Sequence, residues 1–82
     1  MKKENNLDNK LLRILNNCLK KYNKKANIKM FKLSLYKDGT IDSFDFINLI
    51  GDIEKEFKIK IPLSKLDANT TINKIKNEIK KI

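Results

Sequence analysis

Ser43 is the side chain of this 82-residue sequence best placed for covalent chemistry. It follows Lys37-Asp38-Gly39-Thr40, a glycine-containing turn signal. It precedes an apolar series, Phe46, Ile47, Ile50, Ile53 and Phe57, at the three- and four-residue steps of an amphipathic helix. Asp42 suits the N-cap of that helix, because its carboxylate can accept backbone N–H groups that have no partner in the first turn. Asp45 adds negative charge at the positive end of the helix dipole. Ser43 then falls in the first turn, where its hydroxyl can point to solvent, as a covalent attachment point requires. Asp and Ser at a helix start are usually nothing more than caps, so their types and spacing alone favour that plain role.

Other chemistries are closed off by composition. No histidine is present, which removes His-dependent triads and acid–base schemes and the usual zinc and haem sites. Cys18 is the single cysteine, so no internal disulfide can form. Its place on an apolar helical stripe assigns it to packing. A calcium loop with Gly39 at its sixth position would put Ser34 and Tyr36 at the first and third, where carboxylates belong, and Asp45 at the twelfth. Too few oxygens converge for that reading.

The elements that must position Ser43 are helical. A first helix is predicted from Leu7 to Tyr22, with Leu7, Leu11, Ile14, Cys18 and Tyr22 on one face, widened by Leu12, Leu15 and Leu19, and capped by Asn5 or Asn6. The stretch from Asn23 to Ile41 is a long connection, whose Ile28, Met30, Phe31, Leu33, Leu35 and Tyr36 are expected to dip back onto the core. Alternation over Phe31-Lys32-Leu33-Ser34-Leu35 offers a rival hairpin, but the pattern after Ile41 turns helical rather than alternating. The central helix must stop before Pro62, which biases Ile61 away from helical angles. A single turn from Leu63 to Asp67, with Leu63 and Leu66 inward, leads to a last helix capped by Thr70 or Thr71 and carrying Ile72, Ile75, Ile79 and Ile82. The sum is an all-α domain over residues 1–82, a small bundle of three longer helices plus one short one. A chain this short buries only about 60–65% of its unfolded surface, so it has one modest core.

Several stretches in register resemble the acyl carrier protein family. They are Asp42-Ser43-Phe44-Asp45-Phe46-Ile47-Asn48-Leu49-Ile50, then Ile53-Glu54-Lys55-Glu56-Phe57, the exit Ile59-Lys60-Ile61-Pro62, and Asn69-Thr70-Thr71-Ile72. The resemblance implies that Ser43 is esterified by 4′-phosphopantetheine taken from coenzyme A. It implies a carrier without catalysis of its own, bearing acyl or aminoacyl groups as thioesters. The implied partners are a phosphopantetheinyl transferase, an acyl- or aminoacyl-loading ligase and downstream acyl-transfer enzymes, which would read the acidic face through Asp42, Asp45, Asp52 and Glu54. Asn48 and Lys55 stand where carriers of fatty acid synthesis usually have acids. The Asp-Ser-Phe start is similar to that of D-alanyl and other stand-alone carriers, so the cargo stays open between lipid-type acyl and aminoacyl groups.

The net charge of +9 points elsewhere, toward a basic helical nucleic-acid-binding protein or an anionic surface. Lysines are scattered along the chain, Arg13 is the only arginine, and Asp38, Asp42, Asp45, Asp52, Glu54 and Glu56 gather around the central helix. Nucleic acid is therefore not the expected partner. No apolar run of about 18 residues could span a membrane, and Met1-Lys2-Lys3-Glu4-Asn5-Asn6 leads into no apolar signal core. A cytoplasmic monomer is the expectation.

Overall fold

The computed structural model describes residues 2–67 and 69–81, without the side chains of residues 2–5 and 63. The chain is helical where it is regular: α1 covers Lys2–Leu19, α2 Ser43–Phe57 and α3 Ile72–Lys80. Among the described residues no strand occurs, so the hairpin at 31–35 does not form. Phe31 instead belongs to a short 3-10 helix, Ile28–Lys32, opened by the Asn27 side chain accepting the Lys29 N–H.

α1 begins upstream of the predicted start, which places Asn5 and Asn6 inside the helix rather than at its cap. Its last turn tightens to a 3-10 turn, Lys20–Tyr22, closed by Asn23 at φ 59°, a left-handed conformation that asparagine tolerates better than most residues. The buried face is centred on Leu11, Leu15 and Leu19, with Ile14 beside them; Leu7, Cys18 and Tyr22 lie along its half-buried margin.

The long connection contributes Phe31, Leu35 and Ile41 to the core. Met30 is half-buried, whereas Ile28, Leu33 and Tyr36 stay exposed, contrary to the expected inward turn. Gly39 sits at φ +85° and its N–H closes a turn onto the Tyr36 carbonyl, a geometry that costs glycine little.

α2 packs against α1, and its buried face carries Leu49, Ile50 and Ile53. Lys58, at φ 55°, ends α2 by returning its N–H to the Glu54 carbonyl, which also accepts the Ile59 N–H. The chain turns at Ile61-Pro62 into a 3-10 turn, Leu63–Lys65, and reaches α3, where the Thr71 hydroxyl accepts the Lys74 N–H as cap. Ile72 and Ile75 complete the core and Ile79 is half-buried, as is Leu66. The side chain of Leu63 and residue Ile82 lie outside the described residues.

Candidate functional site

Asp42 holds the mouth of α2 open in a defined shape. Its backbone is extended, and its carboxylate accepts the Asp45 N–H at 2.8 Å, the N-cap geometry that the sequence implies. Ser43 follows as the first helical residue and is exposed. Phe44 and Ile47 stand beside it at 67% and 66% exposure, an apolar pair left in water next to the hydroxyl. Ile47 therefore does not belong to the core stripe that its spacing suggested.

Ser43 also borders a cleft of about 710 Å³. Tyr36, Phe46, Ile47, Ile50, Gly51, Ile61, Pro62 and Leu66 supply most of its wall, and Glu54, Lys60 and Asp67 supply its polar groups. Tyr36 is held there by stacking on Phe46, with ring centroids 5.5 Å apart. Glu54 on α2 accepts the Ile61 N–H at 2.8 Å, which ties the segment leading to Pro62 to the helix beside the cleft. An exposed primary hydroxyl on a helix rim, with an apolar trough leading away from it, fits an attached arm that carries an apolar load.

The four carboxylates expected on one partner-facing surface divide into three settings. Asp42 and Asp52 are exposed, and Asp52 shares a shallow hollow with Arg13, Lys55 and Glu56. Glu54 is half-buried and occupied by the Ile61 N–H. Asp45 is turned inward: its residue is only 6% exposed, and it accepts the Tyr22 hydroxyl and the Lys21 ammonium. Asp45 thus clasps the end of α1 to the start of α2, two residues from Ser43. Neither residue type nor periodicity announces this clasp, because its partners lie 23 and 24 positions away.

The clasp has an electrostatic signature. The Tyr22 hydrogen bond, then Lys21, hold the Asp45 carboxyl below the usual carboxylate range. The same bonds push the Tyr22 phenol and the Lys21 ammonium up. A carboxyl with a lowered folded-state pKa stabilises the fold above its ordinary pKa and loses that contribution as pH falls through the folded value. A phenol and an ammonium with raised values stabilise at lower pH and lose it as pH rises through their folded values. Stability is therefore expected to be flat from about pH 5 to 9 and to fall on both sides. Tyr22→Phe returns the folded-state carboxyl toward its ordinary range and should therefore shrink the acid limb in urea titrations at a series of pH values. An unmoved acid limb would remove Asp45 from that account.

Cys18 is half-buried near the clasp, and burial, then repulsion from Asp45, pushes its thiol up to about 11. It stays protonated at neutral pH, in keeping with a packing role. Among the described residues no group of three or more His, Cys, Asp or Glu side chains is placed to hold a metal ion.

Comparison with known families adds one finding. The model of a family described as "Phosphopantetheine attachment site" matches residues 34–79, over half of the chain. The match takes in the α2 mouth, the cleft and the α3 cap. No curated protein and no solved structure matches the chain.

Proposed function

Because the chain belongs to the phosphopantetheine attachment site family, we propose that Ser43 bears the 4′-phosphopantetheine group and that the cargo is an apolar acyl chain. The protein is a carrier and not an enzyme, and it works with a phosphopantetheinyl transferase and with enzymes that handle acyl groups. The group supplies, when bound, a terminal thiol that holds cargo as a thioester. Everything else falls to the chain's own residues.

The observation that carries the reading is the position of Ser43, exposed to a transferase and on the rim of the apolar cleft. Each methylene moved from water into such a wall contributes about 0.8 kcal/mol, so Phe46, Ile47, Ile50, Ile61 and Leu66 can hold several carbons of an acyl chain. An aminoacyl cargo would bring an ammonium group to the same wall, and desolvating it is unfavourable. Glu54 is the carboxylate on the wall nearest in sequence to Ile50, and one of its oxygens is already engaged by Ile61. The asymmetry favours lipid-type acyl cargo over D-alanyl or other aminoacyl cargo.

The surface that partners read is assigned to Asp42, Asp52 and the outer edge of Glu54, with Phe44 and Ile47 as apolar contacts beside the attachment point. Asp45 contributes by holding the mouth of α2 in place rather than by meeting partners. Charged rims of this kind steer encounter and register.

Loading the arm with octanoyl and, separately, with alanyl groups tests the cargo. Octanoyl loading is expected to raise the thermal midpoint by several degrees and to shift the amide resonances of Ile50, Ile61 and Leu66, because it buries apolar surface against them. Alanyl loading should leave both close to those of the unloaded holo-protein. Equal responses to the two cargoes would contradict the acyl assignment while leaving attachment at Ser43 intact.

A further inference from the structure

The excess positive charge of this protein is confined to one segment. Residues 9–37 carry nine cationic side chains and no carboxylate, whereas the rest of the chain balances ten cations against ten acids. Folding does not neutralise the segment. Arg13 and Lys10 reach Glu56, and Lys21 reaches Asp45. Lys24, Lys25, Lys29, Lys32 and Lys37 meet no carboxylate among the described residues, and all five are exposed. Outside the segment Lys65 and Lys81 pair with Glu78 and Lys76 with Asp8, while the exposed Lys55, Lys58, Lys60 and Lys74 lie in stretches of chain that also carry carboxylates.

Two exposed aliphatic side chains belong to the same stretch of chain as these lysines. Ile28 is 50% exposed and Leu33 44%, one at the start and one just past the end of the short helix Ile28–Lys32. Three residues per turn put Lys29 and Lys32 on one side of that helix. Phe31 anchors it to the core, so the projecting groups are held rather than loose.

We propose that the 24–37 segment is a docking surface for an anionic lipid bilayer, with the lysines on the headgroups and Ile28 and Leu33 in the headgroup–acyl boundary. Clustered lysines beside exposed aliphatic groups match the two components of interfacial binding, electrostatic attraction and shallow apolar insertion. Among the described residues no helix is long and apolar enough to cross a membrane. Nucleic acid fits less well. Arg13 is engaged by Glu56, and Tyr36 is stacked on Phe46, so the surface offers neither a free guanidinium nor a free stacking ring.

Vesicle flotation of the full chain tests it, comparing phosphatidylcholine vesicles with and without about 30% phosphatidylglycerol at about 50 and 300 mM salt. Binding to the anionic vesicles at low salt, and at least about tenfold weaker binding at high salt, is expected. Lys24→Gln, Lys29→Gln and Lys32→Gln together should weaken it about 100-fold, at about fivefold per lysine. The matched triple Lys55→Gln, Lys58→Gln and Lys74→Gln should weaken it far less. Ile28→Ser with Leu33→Ser should weaken lipid binding about tenfold without changing the circular dichroism spectrum. No binding to anionic vesicles, equal binding to neutral ones, or equal loss in the two lysine triples would overturn the proposal. Tighter binding to a single-stranded oligonucleotide, unaffected by Ile28→Ser with Leu33→Ser, would also overturn it and assign the surface to nucleic acid.

Discussion

Ile53→Ala is expected to cost about 2–5 kcal/mol, seen as a lower urea midpoint with little change in slope. Ile53 is fully buried on α2, in the same core cluster as Leu49, Ile50 and the buried leucines of α1. Truncation removes three carbons from a close-packed site, and the loss includes the cavity left behind as well as the transfer of those carbons. A chain of this length has roughly 4–12 kcal/mol in total, so the variant should be marginal or unfolded at physiological temperature. Ile47→Ala, on the same helix but 66% exposed, should change stability by less than about 0.5 kcal/mol. If the two variants were equally stable, the placement of the core would be wrong.

Charge reversal on α2 should divide the acids just as sharply. Asp45→Lys is expected to be the most damaging reversal on that helix, because it brings a third cationic or donor group against Tyr22 and Lys21 and leaves both without their acceptor. Asp52→Lys faces water and should leave helicity and the thermal midpoint unchanged. In reactions with partner enzymes the order should separate from stability, with Asp52→Lys slowing encounter through the rim charge alone. An Asp45→Lys protein as stable as Asp52→Lys would contradict the clasp.

What could be read in the sequence was what local chemistry dictates. The Asp42 cap, the exposed Ser43, the stop of α2 before Pro62 and the Thr71 cap each depend on groups within a few residues, so their signals are carried in short words. Family resemblance extended that reading to the attached group, and the match over residues 34–79 supports it. The inward turn of Asp45 was hidden, since an aspartate in a first turn looks the same whether its carboxylate meets water or Tyr22. The short helix at Ile28–Lys32 spans too few residues to show a period. The exposure of Ile47 was masked because periodicity marks an apolar arc without saying where the neighbouring layer ends. On α2 that arc is shared between α1 on one side and the cleft on the other. The start of α1 lay upstream of the predicted Leu7, because Lys, Glu and Asn carry no apolar stripe to announce a helix.

A single hydroxyl, that of Ser43 at the mouth of α2, is expected to accept the arm. Intact-protein mass spectrometry after incubation with coenzyme A, Mg²⁺ and a promiscuous phosphopantetheinyl transferase measures it directly, on the wild-type chain and on Ser43→Ala. One phosphopantetheine mass on the wild type, mapped to the peptide holding Ser43 and lost in the alanine variant, is the predicted result. Modification that persists in Ser43→Ala, or maps to Ser34 or Ser64, would contradict it.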